Sequence, residues 1–213
     1  NKKKKRLKSL RGGEKNISDF KDLIQNEDDI RIFKESKKFY NNLKNISREK
    51  IKSLSYKMGG GGNYLLLYFL IRKYKPKIIL ETGVALGFSS KAILEAIEVN
   101  KEGKLFSSDY PYLNAKNGKQ NIGLLVDKHL RQNWMLFLDG DSKNIKNIKQ
   151  LITSIDLFHY DSDKSVLGRQ FTILSLKELL HANSIIVMDD IQDNLFFKNF
   201  TEKYCCQFYV FEF

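Results

Sequence analysis

Cysteine is nearly absent. The 213 residues hold two, Cys205 and Cys206, side by side. Adjacent cysteines bridge only with strain, so no disulfide framework holds the fold, and a reducing compartment, the cytoplasm, is the expected setting. No leader peptide is visible, and no apolar run reaches the ~20 residues of a membrane-spanning helix, so no membrane partner is expected. The triplets beginning at Asn16, Asn45 and Asn199 therefore read as chance rather than as glycosylation sites. Histidine is scarce too. His129, His159 and His181 lack metal-ligand spacing, and His159, inside an apolar run, reads as a core or supporting residue. Also missing are a Gly-x-Gly-x-x-Gly dinucleotide loop, the Lys-Ser/Thr of a phosphate loop, and any internal repeat. The chain opens on Asn1 and closes within an apolar, strand-like run, the pattern expected of a piece trimmed from a longer protein.

Acid is under-represented: the net charge is +12. Seven basic residues lie within 1–11, which has no acid, leaving 30 basic against 25 acidic groups elsewhere. Residues 1–13 thus read as a solvated, disordered basic tail, with electrostatic contact to nucleic acid or an anionic membrane surface as the less favoured alternative. A hydrophobic content of 42% suits one domain with a real core.

Residues 14–57 read as a helical N-terminal extension, apolar at Phe20, Leu23, Ile24, Ile30, Phe33, Ile51 and Leu54, with Ser18 and Ser47 as expected N-caps. The four glycines of Gly59–Gly62 form either a linker or a loop that lets backbone approach a ligand. Helix Tyr64–Tyr74 follows. From Lys77 strand and helix alternate. Strands are expected at Ile78–Glu81, Lys104–Ser108, Trp134–Leu138, Ile155–Tyr160, Ser184–Met188 and Gln207–Phe213. Helices are expected at Ser89–Val99, near Leu124–Leu130, and at Asn144–Ile152, Val166–Leu180 and Asn194–Tyr204. This is an α/β pattern, a mainly parallel Rossmann-like sheet with helices on both faces, over residues 58–213.

The organising stretch is Ile78 to Ser89. A β-branched run ends in Glu81, then Gly83 and Gly87 stand four apart, then a helix begins. The glycines allow a tight turn and close backbone approach to a ligand, with the helix N-terminus aimed at the same spot. Five successive strands end in acid: Glu81, Asp109, Asp139/Asp141, Asp161 and Asp189/Asp190. A parallel sheet brings those ends to one crevice, and crowded carboxylates call for a cation or a hydroxyl-rich ligand. Asp109 stands where an acid accepts ribose hydroxyls. Asp141, in Gly140-Asp141-Ser142, stands where a purine edge could lie. Asp161, Asp189 and Asp190 offer hard oxygens suited to Mg²⁺. Lys164 is either a surface lysine or, beside such an ion, a general base.

Taken in order, Glu81-Thr82-Gly83-x-x-x-Gly87-x-Ser89, Asp109, Gly140-Asp141-Ser142, Asp161-Ser162-Asp163-Lys164 and Asp189-Asp190 resemble the catechol- and caffeoyl-CoA-type O-methyltransferases. They also resemble the bacterial class I methyltransferases related to macrolide-sugar O-methyltransferases. The resemblance implies S-adenosylmethionine (SAM) as cofactor, bound by Glu81, Gly83, Gly87, Ser89, Asp109, Gly140, Asp141, Ser142 and Asp161. It implies a divalent metal, Mg²⁺ or similar, on Asp161, Asp189 and Asp190, and catalysis by Lys164 with Asp161. Ala182-Asn183-Ser184 replaces the family's usual Pro-Gly-Gly turn, and Asp190 replaces an Asn.

The implied reaction moves a methyl group to a hydroxyl oxygen of a small molecule or sugar, and a homodimer is compatible with it. The absence of an Asn/Asp-Pro-Pro-Tyr/Phe run argues against methylation of DNA bases. The competing readings are an RNA 2′-O-methyltransferase, a nicotinamide enzyme disfavoured by the glycine spacing, and a non-catalytic nucleotide-binding module on a degenerate methyltransferase fold.

Overall fold

The computed structural model describes residues 18–52, 54, 58, 60, 62–111 and 118–212. In chain order its elements are α1 (Glu27–Lys52), α2 (Tyr64–Tyr74), β1 (Ile78–Thr82), α3 (Phe88–Asn100), β2 (Lys104–Ser108), α4 (Gly118–Asn121), β3 (Trp134–Phe137), α5 (Asp141–Ile148), β4 (Ile155–Tyr160), α6 (Val166–Leu176), β5 (Leu180–Met188) and α7 (Phe196–Tyr204). All strands pair in parallel in the order β3-β2-β1-β4-β5. The order reverses between β1 and β4, where open parallel sheets place their ligand crevice.

Alternation along the strands builds two cores. Ile79, Leu105 and Leu157 pack with α2 and α3 on one face. Leu80, Phe106 and Phe158 pack with Ile145, Ile148, Ile173 and Leu176 of α5 and α6 on the other. Because both faces are covered, these strands read as continuous apolar runs.

The N-terminal extension is welded to the sheet's helical layer by paired charges. Arg72 of α2 binds Glu35 of α1 through two nitrogens (2.8 and 3.2 Å), and Tyr68 donates to the same carboxylate at 2.6 Å. Lys73 reaches Asp29 at 2.9 Å and the Leu23 carbonyl at 2.6 Å. Tyr40 stacks on Tyr64, and Phe39 on Tyr68. The basic tail of residues 1–13 lies outside the described residues.

Several expected boundaries are corrected. Ser47 is no N-cap: α1 runs through it, and its hydroxyl donates back to the Lys44 carbonyl. Ser18 is not one either, because Asp19 caps the short turn Phe20–Leu23. Ile30 and Ile51, expected on the apolar face, are exposed. No helix spans Leu124–Leu130. Gly123 and Leu125 spend their N–H groups on the carbonyls of Ala85 and Leu86, and a short 3-10 helix forms instead at Lys128–Asn133. Helix α5 starts three residues early, at Asp141. Helix α6 ends at Leu176, because Leu180 already pairs with Ile155, and β5 then runs through a register irregularity filled by the Ser184 hydroxyl on the Ile155 carbonyl. The described part of the expected last strand, residues 207–212, forms no strand. Val210 trades its hydrogen bonds with Ser18, and Phe211 packs on Phe20, so the segment leaves the sheet to cover the N-terminal turn. Phe213 lies outside the described residues. Among the described residues no helix is long and apolar enough to cross a membrane.

Candidate functional site

The crevice starts at the loop between β1 and α3. Gly83 and Gly87 take φ values of +84° and +87°, the left-handed region. A Cβ on Gly83 would stand 2.5 Å from the Asp161 carbonyl oxygen, and one on Gly87 would stand 2.9 Å from the Gly123 α-carbon. Close packing against β4 on one side and the 118–127 segment on the other therefore requires glycine at both positions. Ser89 lies buried in the first turn of α3.

Glu81 sits beneath this loop, fully buried. Its Oε2 accepts from Ser90 (2.6 Å) and Ser107 (2.8 Å), while Oε1 stands 3.5 Å from Nδ1 of His159. Trp134 donates to the Ser107 hydroxyl in turn. One carboxylate thus ties α3, β2 and β4 together. Burial would push the His159 pKa down, but Glu81, backed by Asp161 and Asp189, holds it above the ordinary imidazole range. His159 is the supporting core residue expected.

Asp109 closes the cofactor side. Its Oδ2 accepts from the backbone N–H groups of Val84 (2.9 Å) and Ala85 (2.8 Å), and its Oδ1 from Tyr110 (2.6 Å). Burial raises its pKa against these three bonds. A carboxylate has about four acceptor positions, so roughly one remains for a ligand hydroxyl. The β3 end is joined to it: the Gly140 N–H donates to the Asp109 carbonyl, and Asp141 Oδ1 accepts from the Ser108 hydroxyl at 2.6 Å. Ser142 is exposed on the first turn of α5. Buried Asn144 locks this half, donating to Ser108, Asp109 and Phe137 and accepting from the Asp139 N–H.

The second half follows β4 and β5. Lys164 contacts Asp161 directly and stands 3.7 Å from Asp190. Burial raises the Asp161 pKa, with His159 and Lys164 opposing it. Asp190 is left-handed (φ +49°). Asp189 Oδ1 turns back to accept from the Asp190 N–H at 3.0 Å, and its Oδ2 lies so close to Gly62 that a Cβ there would overlap it. The glycine-rich loop thus brings its last backbone unit against the acid cluster, while Gly59 and Gly61 lie outside the described residues.

The chemistry of Asp161, Asp189 and Asp190 suits a divalent cation, but their arrangement does not. Among the described residues no three carboxylates, imidazoles or thiolates converge on one point, and Lys164 Nζ lies between Asp161 and Asp190. These side chains do not fit the expected metal set.

The structure therefore brings Gly83, Gly87, Asp109, Gly140, Asp141, Asp161, Lys164, Asp189 and Asp190 to one edge of the sheet, with Glu81 as their buried anchor. Sequence reasoning missed Asn144, Asn194 and Arg169. A signal existed for Arg169: it shares the inward stripe of α6 with Thr172, Ile173 and Leu176, and a charge on a buried stripe needs partners.

Residues 80–191 match a family model described as a methyltransferase domain. No curated protein is significantly similar to the chain in sequence. Among solved structures, an O-methyltransferase from Bacillus cereus in complex with SAH is 14% identical, with 85% of this chain and 79% of that chain covered and a TM-score of 0.52. A methyltransferase from Geobacter sulfurreducens is 17% identical, with 88% and 79% covered and a TM-score of 0.50. At these identities the likeness is one of fold.

Proposed function

This chain belongs to the methyltransferase-domain family, and from that premise we propose that it is a SAM-dependent O-methyltransferase acting on a small hydroxylated acceptor, a metabolite or a sugar. One observation carries the reading. Gly83 packs against the Asp161 carbonyl, so the glycine loop and the Asp161–Lys164 pair face a single crevice.

The residues fit the cofactor. The positive-φ glycine loop gives backbone access, Asp109 keeps about one acceptor position for a ribose hydroxyl, and Asp141 has lone pairs free for an exocyclic amine. The SAH held by the Bacillus cereus structure supports this choice. When bound, SAM supplies an electrophilic methyl group on a sulfonium. This chain's part is to hold an acceptor oxygen in line with that methyl and to take its proton. Lys164 Nζ is the group placed to take the hydroxyl proton. SAM, if held by Asp109, Asp141 and the Gly83–Gly87 loop, would supply the methyl carbon, with the C–S bonding pair left on sulfur. Asp161 and Asp190 then stabilise the ammonium produced. Among the described residues no three ligands for a divalent cation meet at one point, and Lys164 stands between Asp161 and Asp190.

The test is calorimetric titration of SAM and SAH into the wild type and Asp109→Ala, with and without Mg²⁺. Binding in the wild type and its loss in the variant are expected, since the variant removes both the ligand acceptor and the anchor of the Val84 and Ala85 N–H groups. Folded wild-type protein that binds neither compound would overturn the reading.

A further inference from the structure

Arg169 is the bulkiest of the side chains that the described fold buries completely. It reaches from α6 into the gap between the ends of β4 and β5. Its Nη2 donates to the carbonyls of Asp189 (3.0 Å) and Asp190 (2.9 Å), and its Nε to the carbonyl of Lys164 (3.3 Å). The guanidinium lies over the Tyr160 ring, 5.8 Å from its centroid. No described carboxylate forms an ion pair with it, and Nη1 has no hydrogen-bond partner among the described residues. A buried cation whose hydrogen bonds all go to carbonyls is costly, so what it holds has to be specific.

What it holds is the main chain of both acid-bearing loops. We propose that Arg169 is a positioning residue for the transfer, fixing Lys164 between Asp161 and Asp190 by gripping the Lys164, Asp189 and Asp190 carbonyls at once. The role of Lys164 in that statement rests on the O-methyl-transfer reading above.

The physical case has two parts. Asp190 is a non-glycine residue in the left-handed region, a conformation that costs about 1–2 kcal/mol and persists only where its surroundings impose it. Its carbonyl is held by Arg169, and that conformation aims Oδ2 at Lys164. The three carbonyls also point at the guanidinium from two loops. A planar fork can serve them together, whereas a lysine, a point charge, cannot. Asn194 repeats the link on a smaller scale: Nδ2 donates to the Lys164 carbonyl at 2.7 Å while Oδ1 caps the Phe196 N–H. Arg169 thus does for the β4–β5 half of the crevice what Asn144 does for the β2–β3 half.

The test needs no acceptor. Wild type, Arg169→Met, Arg169→Lys and Asn194→Asp are compared for melting temperature, for SAH affinity, and for the acetylation rate of each lysine with sulfo-NHS acetate, read by peptide mass spectrometry. Asn194→Asp keeps an acceptor for the Phe196 N–H and replaces the donor to the Lys164 carbonyl by a carboxylate oxygen that repels it, so it serves where Arg169→Met does not fold. Lys164 is expected to react about fivefold faster in both Arg169 variants and about twofold faster in Asn194→Asp, the scale of one lost hydrogen bond. Lys73 and Lys91, buried and ion-paired elsewhere, keep their rates, and SAH affinity stays within about twofold. An unchanged Lys164 rate in a folded variant overturns the proposal. So does acceleration at Lys73 and Lys91 alongside Lys164, which would make Arg169 a general stabiliser. Absence of SAH binding in the wild type would sink the cofactor reading instead, and the Lys164 rates would still decide the role of Arg169.

Discussion

Replacing Gly83 by alanine should damage the protein twice, through the backbone and through a collision, while the same change at Gly60 should do neither. At φ +84° an alanine pays about 1–2 kcal/mol for the left-handed region. Its Cβ would stand 2.5 Å from the Asp161 carbonyl oxygen and 2.7 Å from the carbonyl carbon. Both are backbone atoms at the end of β4, held by the Asp161 N–H on the Thr82 carbonyl, so no flexible side chain can yield. Forcing extra volume into packed structure costs about 1–3 kcal/mol more. The sum, about 2–5 kcal/mol, lowers the melting temperature by roughly 4–20 °C at 2–4 °C per kcal/mol for a domain of this size. The glycine loop must also move away from β4, so SAH affinity should fall by at least about tenfold, the equivalent of 1.4 kcal/mol. Gly60 meets nothing within 4 Å, and Gly60→Ala should stay within about 0.5 kcal/mol of wild type. The assays are thermal unfolding and calorimetric titration of SAH on all three proteins. Wild-type stability and affinity in Gly83→Ala would refute the claim that close packing against Asp161 shapes the cofactor loop.

Two further outcomes follow from the charged groups. Lys164→Met should keep SAH affinity while methyl transfer falls about 10²–10⁴-fold, the usual contribution of a general base; equal turnover by the variant would remove Lys164 from the mechanism. Glu35 should make stability depend on acid. Burial alone would raise its pKa, but the hydrogen bonds from Arg72 and Tyr68 hold it below the ordinary value of 4.5. A depressed carboxyl contributes stability above its unfolded pKa and loses it as pH falls through the folded one. Urea midpoints should therefore drop below about pH 4.5, and Glu35→Gln should be less stable at neutral pH with a flatter acid limb; parallel profiles for the two proteins would show that the pair does not hold α1.

Much of this architecture was determined locally. Helix Tyr64–Tyr74 and strands Lys104–Ser108 and Ile155–Tyr160 lie where apolar pattern and turn residues put them. The placement of Asp109, Asp141, Asp161, Asp189 and Asp190 at one edge of the sheet was legible as well, because parallel strands must end on one edge and each acid lies within four residues of its strand's end. Periodicity reports which face a residue takes, and chain order reports which end of the sheet it reaches.

Neither reports a partner, and the tertiary structure decided those. Glu81 turns down to Ser90, Ser107 and His159, which come from three different elements. The segment around Leu124 looks helical in isolation, yet its N–H groups find the Ala85 and Leu86 carbonyls first. Residues 207–212 have a strand's composition, but a strand exists only beside another, and Ser18 claims the bonds of Val210. Asp161, Asp189 and Asp190 were expected to share a metal, whereas the fold sets Lys164 Nζ between Asp161 and Asp190 and grips the main chain behind with Arg169. Local sequence set the frame because its forces act over a few residues. The charge balance of the crevice depended on which groups the packed chain brings within hydrogen-bond reach, and only tertiary structure determines that.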